Sequence, residues 1–568
     1  MKYYTHVAKY GNNILCRGKD ENGKSVSETI KYKPSLYIQS DNKSYNQYKD
    51  FYGGRVAKKT FNTMYEMTQF AKEYRSMDNY VWGNTKCDIQ FIYDTFKNID
   101  YNPRDIRSAF IDIEVMTRQK LNDGSFVNGG FPVASEAAYP INAICHYDSI
   151  DKVYYQFGLN CEWDKNKSVF PNIAEKTVYY NCLSEEELLK KWISFFNKKC
   201  PDIITGWNVE TFDIPYIVNR VRQVLGMTWV KQLSPWQLIN EREVRTQYGV
   251  DSTYDIVGIS TLDYLALYKK HTFKNRESYT LDYISKCELG ADTHKMEFQG
   301  THGEFYWNDP QGFYDYNLRD VELVKHLDDK LQLIDLVVSL AYYSGINYLD
   351  TFSPIKTWDS IIYRKCLDNN VIIPLGDNKK HREEYPGAWV FDTKVGFQKA
   401  IASFDFASLY PSLNRSFNIG ADTLMSTDVS SKIKTEIIKK CIENNDSELA
   451  NLCSSNTPFN EYYLEHNKIP DYVTDILKSN KVSCTPNWQF YATDKESIFT
   501  TLQTELYKGR KSDKKQMQDF AHKAQAIEEE IQKLDSPSKE LLNLLEEYST
   551  KKTIYATSQL VKKILLNN

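Results

Sequence analysis

Six consecutive residues constrain this chain more than any others: Phe110-Ile111-Asp112-Ile113-Glu114-Val115. Their β-branched and aromatic content predicts a strand. Side chains two apart on a strand share a face, so Asp112 and Glu114 point one way and Ile111, Ile113 and Val115 the other. Two carboxylates on one strand face repel unless something cationic stands between them. A hard divalent ion, which prefers oxygen ligands, fills that role. Alone, an Asp-x-Glu pair is most often a solvated strand face.

Two later stretches carry matching chemistry. Ile204-Thr205-Gly206-Trp207-Asn208-Val209-Glu210-Thr211-Phe212-Asp213 runs from an apolar segment through a glycine turn. Asp213 falls near the start of the helix-like Ile214-Pro215-Tyr216-Ile217-Val218-Asn219-Arg220, where an acid is usually a cap. Further on, Tyr316-Asn317-Leu318-Arg319-Asp320-Val321-Glu322-Leu323-Val324 reads as helical. Tyr316 and Asp320 are four apart and share a face, which in isolation is usually surface packing.

A chain of 568 residues is too long for one core, and three to five domains or subdomains are expected. With 41% hydrophobic and 26% charged residues it has the composition of a soluble globular protein. No run of about 18 apolar residues exists, so no membrane helix is expected. Met1-Lys2-Tyr3-Tyr4-Thr5-His6 lacks the apolar core of a signal peptide. The 11 cysteines form no C-x-x-C pair, which fits reduced thiols. A net charge of -4 does not announce a nucleic-acid binder, but a groove needs only a local basic stripe, for which Lys508, Arg510, Lys511, Lys514 and Lys515 are candidates. Alone, this cluster would read as a solvated helix face.

Residues 1–105 alternate short apolar runs with turns and read as a β-rich domain, with 336–379 packing back on it. Residues 106–335 alternate strands and helices, an α/β pattern. Residues 380–495 include the strand-like Phe397-Gln398-Lys399-Ala400-Ile401-Ala402-Ser403-Phe404. Residues 496–568 read as two long helices broken at Asp535-Ser536-Pro537-Ser538, an antiparallel hairpin.

A second constellation follows the strand-like run. Asp405 stands at its end, where an acid can hold metal. The turn Ser408-Leu409-Tyr410-Pro411-Ser412 exposes backbone N–H groups suited to phosphate, and Tyr410 is placed to pack under a sugar. In the hairpin, Arg510 lies 26 residues before Ser536 and Lys563 27 after it, which puts them nearly level. Lys514 is one turn from Arg510 and Asn567 one turn from Lys563. Three cations and an amide so placed suit a triphosphate. Lys514 is preferred to Lys511 or Lys515 on the helical face.

Asp112, Glu114, Asp213, Tyr316 and Asp320, in this order and context, resemble the three motifs of proofreading 3′→5′ exonucleases. The string Asp405-x-x-Ser408-Leu409-Tyr410-Pro411-Ser412 is similar to motif A of family B DNA polymerases. Tyr385-Pro386-Gly387-Ala388 resembles the family's tyrosine-glycine motif, which places Tyr385 and Gly387 against DNA. The likeness covers nearly the whole chain and is greatest to replicative polymerases of T-even-type bacteriophages, down to Ser353-Pro354-Ile355-Lys356-Thr357-Trp358-Asp359 and Ser278-Tyr279-Thr280-Leu281-Asp282-Tyr283-Ile284-Ser285. It implies a multidomain α/β and α+β fold: a β-rich N-terminal domain, a ribonuclease-H-like exonuclease domain, a partial palm and antiparallel two-helix fingers, without a thumb.

The resemblance further implies two Mg²⁺ ions at the exonuclease site and two at a completed polymerase site, with Mn²⁺ as a substitute. Asp112 would bridge the exonuclease ions, Glu114 and Asp320 would complete one site, Asp213 would hold the other ion directly or through water, and Tyr316 would orient the attacking water. Asp405 would bind metal in the palm. Arg510, Lys514 and Lys563 would grip a dNTP, with Asn567 near the nascent pair. Primer-template and single-stranded DNA are the implied partners, in the cytoplasm of an infected bacterial host. The family's motif B runs Lys-x-x-x-Asn-Ser-x-Tyr-Gly, and here Asn568 takes the Ser place. No Asp-Thr-Asp string follows Asp405, so a separate C-terminal chain supplying the second palm aspartate, the thumb and the sliding-clamp contact is expected, the alternatives being a gene interrupted by an intein or mobile element and a sequence that is a fragment. The alternatives are a stand-alone exonuclease and a non-catalytic nucleic-acid-binding fragment. Four like charges held together argue against the last.

Overall fold

The computed structural model describes all residues except 75–76, 78–79, 98, 122, 247–248, 273, 376–391, 405, 407, 535–537 and 568. The chain packs into two units, one of residues 1–34, 61–68 and 86–360 and one of 35–60, 69–85 and 361–568. Residues 1–34 thus belong to one unit with 86–360, and residues 35–60 to the other with 361–568.

The first unit is built on a mixed six-stranded sheet. Its functional strand, Ser108–Val115, runs antiparallel to Ile141–Asp148 and parallel to Ile203–Thr205. Ile111, Ile113 and Val115 enter a core with Trp192 and Phe196 of helix Glu185–Lys199 and Ile217 and Val221 of helix Asp213–Val224. Burial of this apolar face fixes the strand register, since a slip of one residue would exchange it with the carboxylate face.

A three-stranded antiparallel sheet, Tyr3–Tyr10, Asn13–Lys19 and Ser25–Lys31, belongs to the same unit. Gly11, at φ +57°, makes the tight turn between its first two strands. A buried ionic cluster ties this sheet to the strand Ile203–Thr205. Asp202 pairs with Lys19 at 2.7 Å and Arg17 at 3.4 Å, and accepts the Arg107 N–H at 2.9 Å. The segment after the exonuclease-like region also packs here: Tyr4 Oη donates to Ile346 O and Tyr342 Oη to Tyr4 O, both at 2.7 Å.

The second unit contains a five-stranded sheet in which Val371–Ile372 pairs with Tyr48–Asp50. Residues 427–492 fold around a core of their own. Helices Thr427–Glu443, Ser447–Ser455, Asn460–His466 and Asp471–Ser479 pack with a small hairpin that carries Trp488 and Phe490. Helices Ile498–Ile531 and Lys539–Asn567 form the antiparallel pair. Lys562 and Ser558 both bond Asp513 across it, and Phe520 stacks on Tyr555 at 5.7 Å.

One local expectation is corrected. Phe397–Phe404 is not a strand: it bends at Ala400, which has φ +55°, it pairs with no strand among the described residues, and Phe404 is 94% exposed. β-Propensity and an apolar run do not make a strand without a ladder partner. Tyr385, Gly387 and Asp405 lie outside the described residues, as does the Asp535–Pro537 breaker.

Candidate active site

Three elements bring the first constellation together. The strand Ser108–Val115 presents Asp112 and Glu114, and the helix Pro310–Leu331 carries Tyr316 and Asp320 on one face. The helix Asp213–Val224 starts at the third acid. One oxygen each from Asp112, Glu114 and Asp320 lies within 4.8 Å of the other two. Ligands on opposite sides of one Mg²⁺ stand about 4.2 Å apart, so this spacing suits a shared cation. Asp213 lies outside that trio. It lines the same cavity, and its Oδ1 accepts the Ile113 N–H at 3.0 Å. Tyr316 lines it as well. The cavity, about 620 Å³, also takes in Trp207, Phe131, Lys295 and His302.

Electrostatics here favour a bound cation. Burial, then the neighbouring Glu114, Asp213 and Asp320, raise Asp112 well above the usual carboxylate range. Burial and then Asp320 do the same to Glu114. Burial pushes Asp213 up to about 7 although the Ile113 N–H opposes it. Burial raises Asp320 too, against the pull of Lys295. Four carboxylates thus face one ammonium among the described lining residues. Asp320 Oδ1 is buried with no hydrogen-bond partner. Leaving a buried carboxylate oxygen bare is costly, and a cation with oxygen preference would satisfy it. The residues therefore fit a divalent metal.

Three site residues were not singled out from the sequence. Lys295 is ion-paired with Asp320 and donates to Tyr316 Oη at 2.8 Å. Burial works against its charge, but Asp320, Tyr316 and Asp112 outweigh it and hold the ammonium above its ordinary range. Asn317 Nδ2 donates to Asp112 Oδ2 at 2.8 Å. His302 Nε2 lies 3.2 Å from Glu114 Oε2. Asn317 could have been found, because it directly follows Tyr316 on the same helix. Lys295 and His302 lie in a stretch without periodicity, and only tertiary folding brings them in.

The second constellation lies in the second unit. Ser408, at φ +56°, precedes the helix Leu409–Phe417, whose first turn holds Leu409 and Tyr410. Tyr410 is 70% exposed. This helix packs on Ile498–Ile531, with the Arg415 guanidinium 4.9 Å from the Tyr507 ring centre. In the helix pair, Arg510 and Lys563 are half-buried, and Lys514 and Asn567 are exposed. The Asp513–Lys562 and Phe520–Tyr555 contacts set a register that puts Arg510 and Lys563 nearly level.

A carboxylate trio on a sheet strand and a facing helix, with a buried bare oxygen, forms a candidate cation site in a mixed α/β, multidomain chain. The model described as DNA polymerase family B, exonuclease domain, matches residues 45–284, and that described as DNA polymerase family B matches 355–534. The DNA-directed DNA polymerase of Escherichia phage RB69 is 32% identical over 549 residues, covering 93% of this chain and 56% of the relative. That of Enterobacteria phage T4 is 30% identical over 610 residues, covering 100% and 62%. The DNA polymerase delta catalytic subunit of Caenorhabditis elegans is 29% identical over 394 residues, covering 66% and 33%. The chain belongs to DNA polymerase family B. It spans 56% and 62% of the length of the two phage relatives. No helix among the described residues is long and apolar enough to cross a membrane.

Proposed function

We propose that this chain carries a 3′→5′ exonuclease that trims single-stranded DNA ends, as the proofreading part of a replicative DNA-directed DNA polymerase. The observation that carries it is the meeting of Asp112, Glu114 and Asp320 oxygens within 4.8 Å beside Asp213 and Tyr316. Two Mg²⁺ ions, or Mn²⁺ in their place, would supply an activated water and neutralise charge developing on the phosphate. Asp112, Glu114, Asp213 and Asp320 are the residues to hold them.

The other roles belong to the chain itself. Burial and then Asp320 and Glu114 keep the Tyr316 hydroxyl protonated far above its ordinary range. Its oxygen accepts from Lys295 and its hydroxyl favours the charged Asp320 carboxylate beside it, which leaves the oxygen's remaining lone pair to meet a water. Lys295 adds a positive charge where phosphate negative charge must be received. Trp207 and Phe131 on the cavity wall offer faces on which a terminal base can stack. A cavity of about 620 Å³ falls within the range of small-ligand sites, about 300–1,000 Å³, as one terminal nucleotide requires.

The test is digestion of a 5′-labelled single-stranded oligonucleotide with Mg²⁺ and with chelator. Asp112→Ala should lower the rate roughly a thousandfold or more, since a lost ligand costs several kcal/mol of transition-state stabilisation. Unchanged digestion would refute the assignment.

For nucleotidyl transfer we infer that Asp405 supplies one palm carboxylate, and that Ser408, Leu409, Tyr410, Arg510, Lys514, Lys563 and Asn567 receive the dNTP, with Tyr385 and Gly387 on the primer-template. Primer extension in an assembly that carries both palm carboxylates tests this, and Asp405→Ala should abolish it.

A further inference from the structure

The helix His302–Asn308 is docked at the rim of the carboxylate cavity by contacts that leave it little freedom. Thr301 and Glu304 form a capping box, in which Glu304 Oε2 accepts the Thr301 N–H at 2.9 Å and Thr301 Oγ1 accepts the Glu304 N–H at 3.3 Å. Gly303 lies against residues 117–118, where a Cβ would stand 2.7 Å from Arg118 Cβ and 2.9 Å from Thr117 Oγ1. Arg118 pairs with Glu304 at 2.9 Å, and Trp307 Nε1–H donates to Arg118 O at 2.8 Å. The backbone of His302 is thereby held in place, and the residue lines the cavity together with Thr301 and Gly303.

The ring makes two kinds of contact. Its Nε2 lies 3.2 Å from Glu114 Oε2. Its edges and faces meet Tyr316 at 5.6 Å, Phe298 at 5.5 Å and Phe313 at 5.3 Å between ring centres, all near perpendicular. A proton on Nε2 would face that carboxylate oxygen whether the ring is neutral or charged. His302 does not belong to the trio whose oxygens converge, so it acts on that trio through Glu114.

We propose that His302 is a positioning residue for the exonuclease site: its Nε2–H holds Glu114 Oε2, so that the other oxygen faces the cation, while its ring backs Tyr316. The inference rests on the exonuclease reading above and names a residue outside the four acids and the tyrosine. The terminal torsion of a glutamate is broad, so an unbonded carboxylate turns freely. Partners that orient a ligating group cost about 10–100-fold in metal affinity or activity when removed.

Two substitutions separate the bond from the packing. His302→Phe keeps an aromatic ring against Tyr316 but cannot donate, and His302→Gln can donate from a similar position but has no ring. Mn²⁺ binding is read by the loss of the free-ion signal in electron paramagnetic resonance, and hydrolysis of a single-stranded oligonucleotide by single-turnover rates with Mg²⁺. His302→Phe is expected to weaken Mn²⁺ binding about tenfold or more and to slow the single-turnover rate by a like factor. His302→Gln is expected to stay within about threefold of the parent in Mn²⁺ binding. Thermal melting checks the fold, and His302→Leu serves as a second non-donating variant if the phenylalanine destabilises the chain. A parent protein that binds Mn²⁺ and cuts, with the non-donating variants matching it, overturns the positioning role alone. Equal losses in the Phe, Leu and Gln variants overturn the hydrogen bond as the cause. A parent that neither binds Mn²⁺ nor cuts overturns the exonuclease reading, and the positioning role falls with it.

Discussion

The Lys295 ammonium donates to the Tyr316 phenol oxygen at 2.8 Å and stands 4.8 Å from the centre of the same ring. The contact links a residue from an irregular stretch to the middle of a 22-residue helix. It orients the phenol proton and leaves the ammonium on Asp320 at the same time. Lys295→Met should therefore impair chemistry rather than DNA binding. Loss of one preorganised charge donor typically costs about 10²–10³ in kcat. We expect a fall in that range on single-stranded DNA, with KM changed less than about threefold. A rise in KM at constant kcat would make Lys295 a DNA-holding residue instead.

Asp202 should be a stability residue. It is fully buried with Arg17, which is 1% exposed, and Lys19, which is 3% exposed. It also accepts the Thr5 hydroxyl at 3.1 Å and the Arg107 N–H at 2.9 Å. Asp202→Ala leaves two buried cations without their acid. Breaking such a cluster from one side costs about 3–5 kcal/mol. Thermal or urea unfolding should register a loss of that order. Asp202→Asn, which keeps an acceptor but not the charge, should lie between. A loss below about 1 kcal/mol would mean that water or a rearrangement serves the two cations.

Asp328 should make stability depend on pH. Burial and then Asp335 push its carboxyl up to about 7, against the Ile334 N–H and the Tyr264 hydroxyl, which favour the charged form. An unfolded aspartate titrates near 3.9. Between these values the folded state holds a proton that the unfolded state has released, so the contribution is full at low pH and is lost as pH rises through about 7. Asp328→Asn should flatten the decline in Tm from pH 5 to pH 8 and be relatively more stable at pH 8. Parallel Tm profiles for parent and variant would show that the carboxyl titrates alike in both states.

The site was legible in the sequence where one local periodicity set it. Asp112 and Glu114 stand on a strand with apolar neighbours, and Tyr316 and Asp320 share a helix face, so two simple periods place four groups. Lys295 and His302 obey no period and meet the acids only through the docking of the helices at 302–308 and 310–331. The fold was legible in the same way. The long helices at 498–531 and 539–567 follow from continuous helical pattern and a breaker. Phe397–Phe404 misled because strand propensity reports a side-chain preference and is silent about partners. The separate core of residues 427–492 was missed because its helices are short, and their apolar positions become informative only once Trp488 and Phe490 are known to lie among them.

Tyr410 separates fold from function in the second unit. Its ring is 70% exposed at the first turn of Leu409–Phe417, so it supports no core and its truncation should leave Tm within about 1 °C. The residue should matter instead where a nucleotide sugar is received. A ring that discriminates by steric exclusion acts through repulsion, so shrinking it admits the excluded substrate more than it harms the favoured one. In an assembly carrying both palm carboxylates, Tyr410→Ala should raise ribonucleotide over deoxyribonucleotide insertion by more than about tenfold, equivalent to about 1.4 kcal/mol. Single-nucleotide insertion with each sugar measures the ratio. If both insertions slow equally, Tyr410 binds nucleotide without regard to the sugar. If neither changes, the exposed ring lies off the nucleotide path, and the assignment of Ser408, Leu409 and Tyr410 to dNTP binding falls with it.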